Sequence, residues 1–264
     1  MRYMQRMIIG NILLVIEAIL LFLISVLFVF KMTVLNEKYI VKKLAKNNYY
    51  ENLYQETKDT VSYIATKSGI KVRLVENVFT LDDIKSDTNK FVSSFLQGKK
   101  VEINTELLKE NINRNIEEYE EDTNTVIDSN LKNEFVGKVV SAYKNEVSLL
   151  NSFSKESSSV YNLTKLVKTL LLIFVLDLAV LVFINFKIFR KMEYHIVLFS
   201  SSISLFITYI YIKLLNFKNL YIYNSNVSNV LRNVISRSSN FIIIFILLYL
   251  GAGIFIVKYK RKEK

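Results

Sequence analysis

Apolar residues fall into two patterns along this chain. In four stretches, 7–30, 166–186, 196–215 and 241–257, they are nearly continuous. Each stretch is close to the ~20 residues that a helix needs to cross the hydrocarbon of a bilayer. Between the first two stretches, over 31–165, apolar positions instead recur every three or four residues among polar ones, the spacing of helices with one buried stripe. The pattern predicts an all-α, four-span membrane protein with a helical, water-facing domain (31–165) inserted between spans 1 and 2 and a three-helix membrane region over 166–257.

Within the insert, nothing between Lys31 and Gln55 stops a helix, so the first span is expected to run on, with a joint at Asn47-Asn48-Tyr49-Tyr50. A helix over 50–67 shows the stripe Val61, Ile64, Ala65 and ends at Ser68-Gly69, where a left-handed glycine closes a helix. The stretch 70–79 suits a short helix better than a strand. Thr80, with Asp83 three residues on, forms a capping box for a helix to 96 striped by Leu81, Ile84, Phe91, Val92 and Phe95. Residues 97–100 read as a turn, and Val101-Glu102-Ile103 alternates like a short extended piece. Asn104 or Thr105 starts a helix to 121 that turns Leu107, Leu108, Ile112, Ile116 and Tyr119 inward. A last helix starts at Asp128 or Ser129, turns Leu131, Phe135, Val139 or Val140, Tyr143, Val147 and Leu150 inward, and leads into the second span with a break around 152–159.

Composition sharpens this. No proline and only 6 glycines in 264 residues agree with a mostly helical chain, since both break helix interiors. With no cysteine, disulfides, thiolate metal sites and cysteine-linked lipid are excluded. The segment 31–165 holds 20 basic and 20 acidic residues; the remainder holds 15 basic and 4 acidic, so the whole +11 excess lies in the membrane part. A nucleic-acid binder concentrates basic residues on its soluble domain, so no nucleic acid is expected as a partner.

The basic residues also orient the chain. Arg2 and Arg6 precede span 1, Lys187, Arg190 and Lys191 follow span 2, and five basic residues fill the tail 258–264. Four spans bring these three segments to one side, which the positive-inside rule makes cytoplasmic. Both termini are then cytoplasmic and 31–165 is extracytoplasmic, in a multi-pass cell-membrane protein. Lys218, Arg232 and Arg237 in the third loop, with no acid beside them, run against the rule. Span 1 is longer than a signal core and lacks a small-x-small site after Phe30, so it is expected to stay as an anchor.

Four runs carry a resemblance: Asn36-Glu37-Lys38-Tyr39; Asn48-Tyr49-Tyr50-Glu51-Asn52-Leu53-Tyr54; Val78-Phe79-Thr80 with Asp82-Asp83-Ile84; and Thr105-Glu106 with Asn111-Ile112-Asn113-Arg114-Asn115-Ile116. Over 36–119 and in span plan, the chain resembles a group of multi-span membrane proteins from low-GC Gram-positive bacteria. The resemblance implies an N-terminal span, a helical outward domain and further spans, and it implies no activity.

Two acids lie inside spans, Glu17 and Asp177. Each sits 10 or 11 residues into its run, so antiparallel helices would hold both near mid-depth. A charged acid there costs ~2.5–3.5 kcal/mol on insertion scales, and no Lys, Arg or His accompanies them mid-span. Three readings fit: a proton or cation site shared by the two carboxyls, two neutral acids bonded to hydroxyls of neighbouring helices, or acids paired with a basic residue of a partner protein. In span 3, Ser201, Ser204, Thr208 and Tyr211 share one helical face, which suits either a polar path or close helix packing. Gly251-Ala252-Gly253 reads as a close-packing or flexible site.

The acidic run 117–122, with Asn124 and Asp128, lacks the glycine and spacing of a calcium loop and reads as a solvated helix end. His195, the one histidine, reads as interfacial, and Tyr209, Tyr211, Tyr221 and Tyr223 fit an aromatic belt. Zinc-hydrolase, nucleophile-elbow, phosphate-loop and dinucleotide motifs are missing. The expected function is therefore non-enzymatic, without cofactor or metal. The outward domain would bind a partner protein or envelope ligand, and the spans would dock it beside another membrane protein or further copies of itself. The alternative is a small transporter or channel component using Glu17, Asp177 and the hydroxyl face.

Overall fold

The computed structural model describes residues 2–99, 103–148, 157–189, 193–215 and 225–262. Among these the α-helices are α1 (Arg2–Met32), α2 (Glu37–Lys46), α3 (Tyr49–Lys67), α4 (Leu81–Leu96), α5 (Glu106–Thr123), α6 (Ser129–Val147), α7 (Ser157–Ile184), α8 (Tyr194–Leu214) and α9 (Ser225–Lys262). A 3₁₀ turn, Val72–Val75, precedes α4, and a π turn, Asn185–Phe189, follows α7. The described residues include no strand. Four helical segments are long and apolar enough to cross a membrane: Met7–Met32, Ser158–Lys187, Tyr194–Leu214 and Arg232–Tyr259. The second and fourth begin before 166 and 241, because these helices continue beyond their unbroken apolar runs.

The described residues of Met1–Tyr39, Leu163–Tyr221 and Leu231–Lys264 form one compact unit, and those of Ile40–Asn162 with Ile222–Val230 form another. In the first, each helix buries a narrow seam. In α1 the seam is Gly10, Leu14, Glu17, Ala18, Ser25 and Val29; in α9 it is Val234, Ser238, Ile242, Ile246, Tyr249 and Gly253. Steps of three and four residues keep each set on one face. Val29, Leu205, Ile242, Ile246 and Tyr249 pack into one apolar cluster, and Leu14, Ala18 and Val197 into a second. Small residues along these seams let helices approach closely. At Gly253 a Cβ would lie 2.9 Å from the Phe199 ring, whereas nothing lies within 4 Å of one at Gly251. Gly253 is thus the close-packing glycine of the pair.

The second unit is built on α3, α4, α5 and α6. Its core includes Leu53, Val61, Ile84, Ile112, Phe135 and Val139, each at most 1% exposed. The capping box forms: the Asp83 amide donates to the Thr80 hydroxyl at 3.2 Å, and the Thr80 amide to the Asp83 carboxylate at 2.8 Å. The stop at Gly69 (φ +69°) is a Schellman turn, with the Ile70 amide bonded to the Ala65 carbonyl at 2.9 Å and the Gly69 amide to Thr66 at 3.2 Å. The segment after it closes as the 3₁₀ turn. Asn111 and Asn115, one turn apart on α5, donate to the carbonyls of Val78 and Leu74, each at 3.0 Å, and so satisfy backbone that no helix serves.

Two expectations are corrected. The first span does not run on: 33–36 form a turn in which Leu35 bonds back to the Phe30 carbonyl at 3.2 Å. The Asn36 side chain then accepts the Tyr39 amide at 3.1 Å and restarts the chain as α2, as a capping side chain does. Leu107 and Leu131 face outward, 59% and 39% exposed, because Leu108 and Phe135 take the buried positions beside them. The joint falls where expected, with Asn48 left-handed at φ 52°. Val101-Glu102, most of the expected extended piece, and residues 152–156 of the expected break lie outside the described residues.

Ion pairs in the insert are mostly local. Lys85–Asp82, Lys90–Asp87, Lys109–Glu106 and Lys138–Glu134 each lie within one helix, and Lys132–Glu117 joins α6 to α5 at 3.5 Å.

Candidate functional site

The described structure brings Glu17 to a partner other than Asp177. Glu17 is fully buried in the α1 seam. Asn185, also fully buried, opens the π turn at the end of α7 and donates its amide to Glu17 Oε1 at 2.6 Å. The other two oxygens of this pair, Glu17 Oε2 and Asn185 Oδ1, are buried with no hydrogen-bond partner among the described residues. Nearby, Tyr194 at the start of α8 donates to the Val182 carbonyl at 3.2 Å.

Asp177 lies eight residues before Asn185 on the same helix, a rise of ~12 Å, and it is exposed. Around it Ile173, Leu176 and Val180 are exposed as well, at 43%, 58% and 56%. The two acids therefore share neither a depth nor a face, and Asp177 has no partner among the described residues.

The hydroxyl row of α8 also divides. Ser201 is fully buried, within hydrogen-bond distance of the Ala18 carbonyl (2.9 Å) and of Val197 (2.8 Å). Ser204 and Thr208 turn back on their own helix, to the carbonyls of Ser200 and Ser204 at 3.0 and 2.9 Å, and Tyr211 is 62% exposed. Ser204 lines a groove of about 460 Å³ with Asn11, Leu14, Ala18, Glu193 and Ser200, between α1 and α8. Ser201 thus serves helix contact, and the row makes no continuous polar path.

The sequence reading passed over Asn185, Ser25 and Tyr249. The hydroxyls of Ser25 and Tyr249 join α1 to α9 at 2.6 Å. Asn185 carries a signal in hindsight. It continues the seam Val167, Leu171, Phe174, Leu178 and Leu181 of α7, all buried or half-buried, so a polar residue there must meet a neighbour.

The insert has a polar recess of about 190 Å³, lined by Asp83, Asp87, Lys90, Asn104 and Tyr143 among others. The Tyr143 hydroxyl donates to Asp87 at 2.9 Å. Burial and then the Asp87 charge push the Tyr143 phenol well above its ordinary range, so it stays a donor. Burial likewise pushes Tyr50 up to about 12, and its hydroxyl donates to Asn89 at 2.6 Å. No group of three or more His, Asp or Glu side chains is placed to hold a metal among the described residues.

Among the described residues these features define an all-helical structure with four helices long and apolar enough to span a membrane. No protein-family profile, no curated protein and no solved structure matches the chain.

Proposed function

We propose that this chain is a non-enzymatic integral membrane protein, an accessory subunit of a membrane complex in a bacterial cell membrane. Its helical insert faces outward and binds a partner protein or envelope ligand, both termini are cytoplasmic, and the spans dock against a membrane partner. The resemblance to the Gram-positive group supports the setting. The observation that carries the reading is Asp177, an acid on an exposed stretch of a membrane helix. Facing lipid, it costs ~2.5–3.5 kcal/mol. A partner helix that offers it a basic or hydrogen-bonding side chain relieves that cost.

The test is purification of the full chain in gentle detergent, with quantitative mass spectrometry of what accompanies it. The reading expects a stoichiometric membrane protein that is lost from Asp177→Leu and retained by an Asp177→Glu variant. It also expects the soluble or envelope component to change when the insert is deleted. A chain that purifies alone, or an unchanged set after both changes, overturns it.

A further inference from the structure

The contact between Glu17 and Asn185 leaves two buried acceptors facing no donor, and from this juxtaposition we propose that the pair is an exchangeable site for one monovalent cation, a proton or a sodium ion. The proposal stands apart from partner binding and does not rest on it.

An ionised carboxylate only accepts hydrogen bonds, and an amide oxygen only accepts. The one donor in the contact, Asn185 Nδ2, is committed to Glu17 Oε1. Glu17 Oε2 and Asn185 Oδ1 remain, both buried and without a partner among the described residues. Two orphan acceptors are repaired by a donor or by positive charge, and no donor among the described residues reaches them. A proton on Oε2 turns it into a donor, and a small cation is ligated by both oxygens.

Protein charge is poorly placed to do this. The charged or titratable side chains nearest the contact in sequence are Lys187 in the π turn and Glu193, Tyr194 and His195 at the start of α8; Arg6 and Lys31 of α1 lie 11 and 14 residues from Glu17, and Asp177 and Lys168 of α7 lie 8 and 17 residues from Asn185. The Lys187 ammonium lies over the Phe183 ring at 5.3 Å, and the Tyr194 hydroxyl is spent on the Val182 carbonyl. His195 Nδ1 is buried without a partner, its ring set edge-on against Phe199. One carboxyl and one amide suit a single positive charge, and a divalent ion would need more acids than the described residues bring together.

Position makes the cation exchangeable. Asn185 is two residues short of Lys187, where the membrane segment of α7 ends, a rise of only ~3 Å. It also begins a π turn, whose wider ring loosens the helix hydrogen-bond ladder, a feature common at functional sites.

Infrared difference spectroscopy on the full chain in lipid vesicles tests this. Spectra are compared between about pH 5 and about pH 9, and, at one pH, between sodium chloride and choline chloride. A proton site gives a C=O band of a protonated carboxyl that comes and goes with pH. A sodium site loses that band when sodium replaces choline. Either band must vanish in Glu17→Gln and survive in Asp177→Asn. If Glu17→Gln does not fold, Glu17→Asp keeps the acid and displaces the band. Spectra with no Glu17-dependent band in both exchanges would show an acid locked in one state and overturn the proposal.

Discussion

Gly251 and Gly253 look interchangeable in the sequence, yet they make different demands. Gly253→Ala pushes a Cβ into the Phe199 ring, and overpacking of this kind costs ~1–3 kcal/mol; Gly251→Ala meets open space and leaves the melting temperature in detergent near the wild-type value. Asp87 is the polar keystone of the insert. Asp87→Ala orphans the buried Tyr143 hydroxyl, and loss of a partner of this kind costs ~1–3 kcal/mol, measurable by thermal unfolding. Glu146 supplies the pH dependence. Burial and then the Glu56 carboxylate raise its carboxyl above the ordinary value, against a Thr60 hydrogen bond that lowers it. The folded state therefore holds this proton to higher pH than the unfolded state. Its ionisation costs stability as pH rises from the ordinary carboxyl range through the folded value. Glu146→Gln should stabilise the insert at neutral pH, with the difference from wild type shrinking as pH falls toward 4.5. A constant difference across that window would contradict the assignment.

At the scale of elements, local chemistry was the legible part. Thr80 with Asp83, and Ser68-Gly69, announced a helix start and stop because each motif satisfies backbone groups within a few residues. Thr80→Ala should cost ~0.5–2 kcal/mol, read as faster amide exchange in the first turn of α4. What stayed hidden depended on neighbours distant in sequence. Glu17 and Asn185 are separated by 168 positions, and a period of three to four residues marks a stripe without saying which helix covers it. For the same reason Asp177 seemed a companion of Glu17 until the faces of α1 and α7 were known. Leu107 and Leu131 fit their stripes as well as their buried neighbours do, and only packing decides between them. The break after α1 was within reach, since Asn36 is a capping residue type.

The topology of the whole molecule can be checked in the natural background, which has no competing thiol. Val126→Cys, at a position 92% exposed, should react with a membrane-impermeant thiol reagent added to intact cells. Arg261→Cys, exposed near the end of α9, should react only after the cells are opened; the reverse pattern would invert the proposed orientation. The ion pairs of the insert carry a different implication. Four of these five lie within a single helix; Lys132–Glu117 joins one helix to another, and an exposed pair of that kind contributes about 1 kcal/mol at most. Helix is held to helix by apolar contact and by buried hydrogen bonds such as Tyr143–Asp87, which dissolved ions screen far less than exposed charge pairs. Amide exchange across α3 to α6 should accordingly change little between dilute buffer and strong brine.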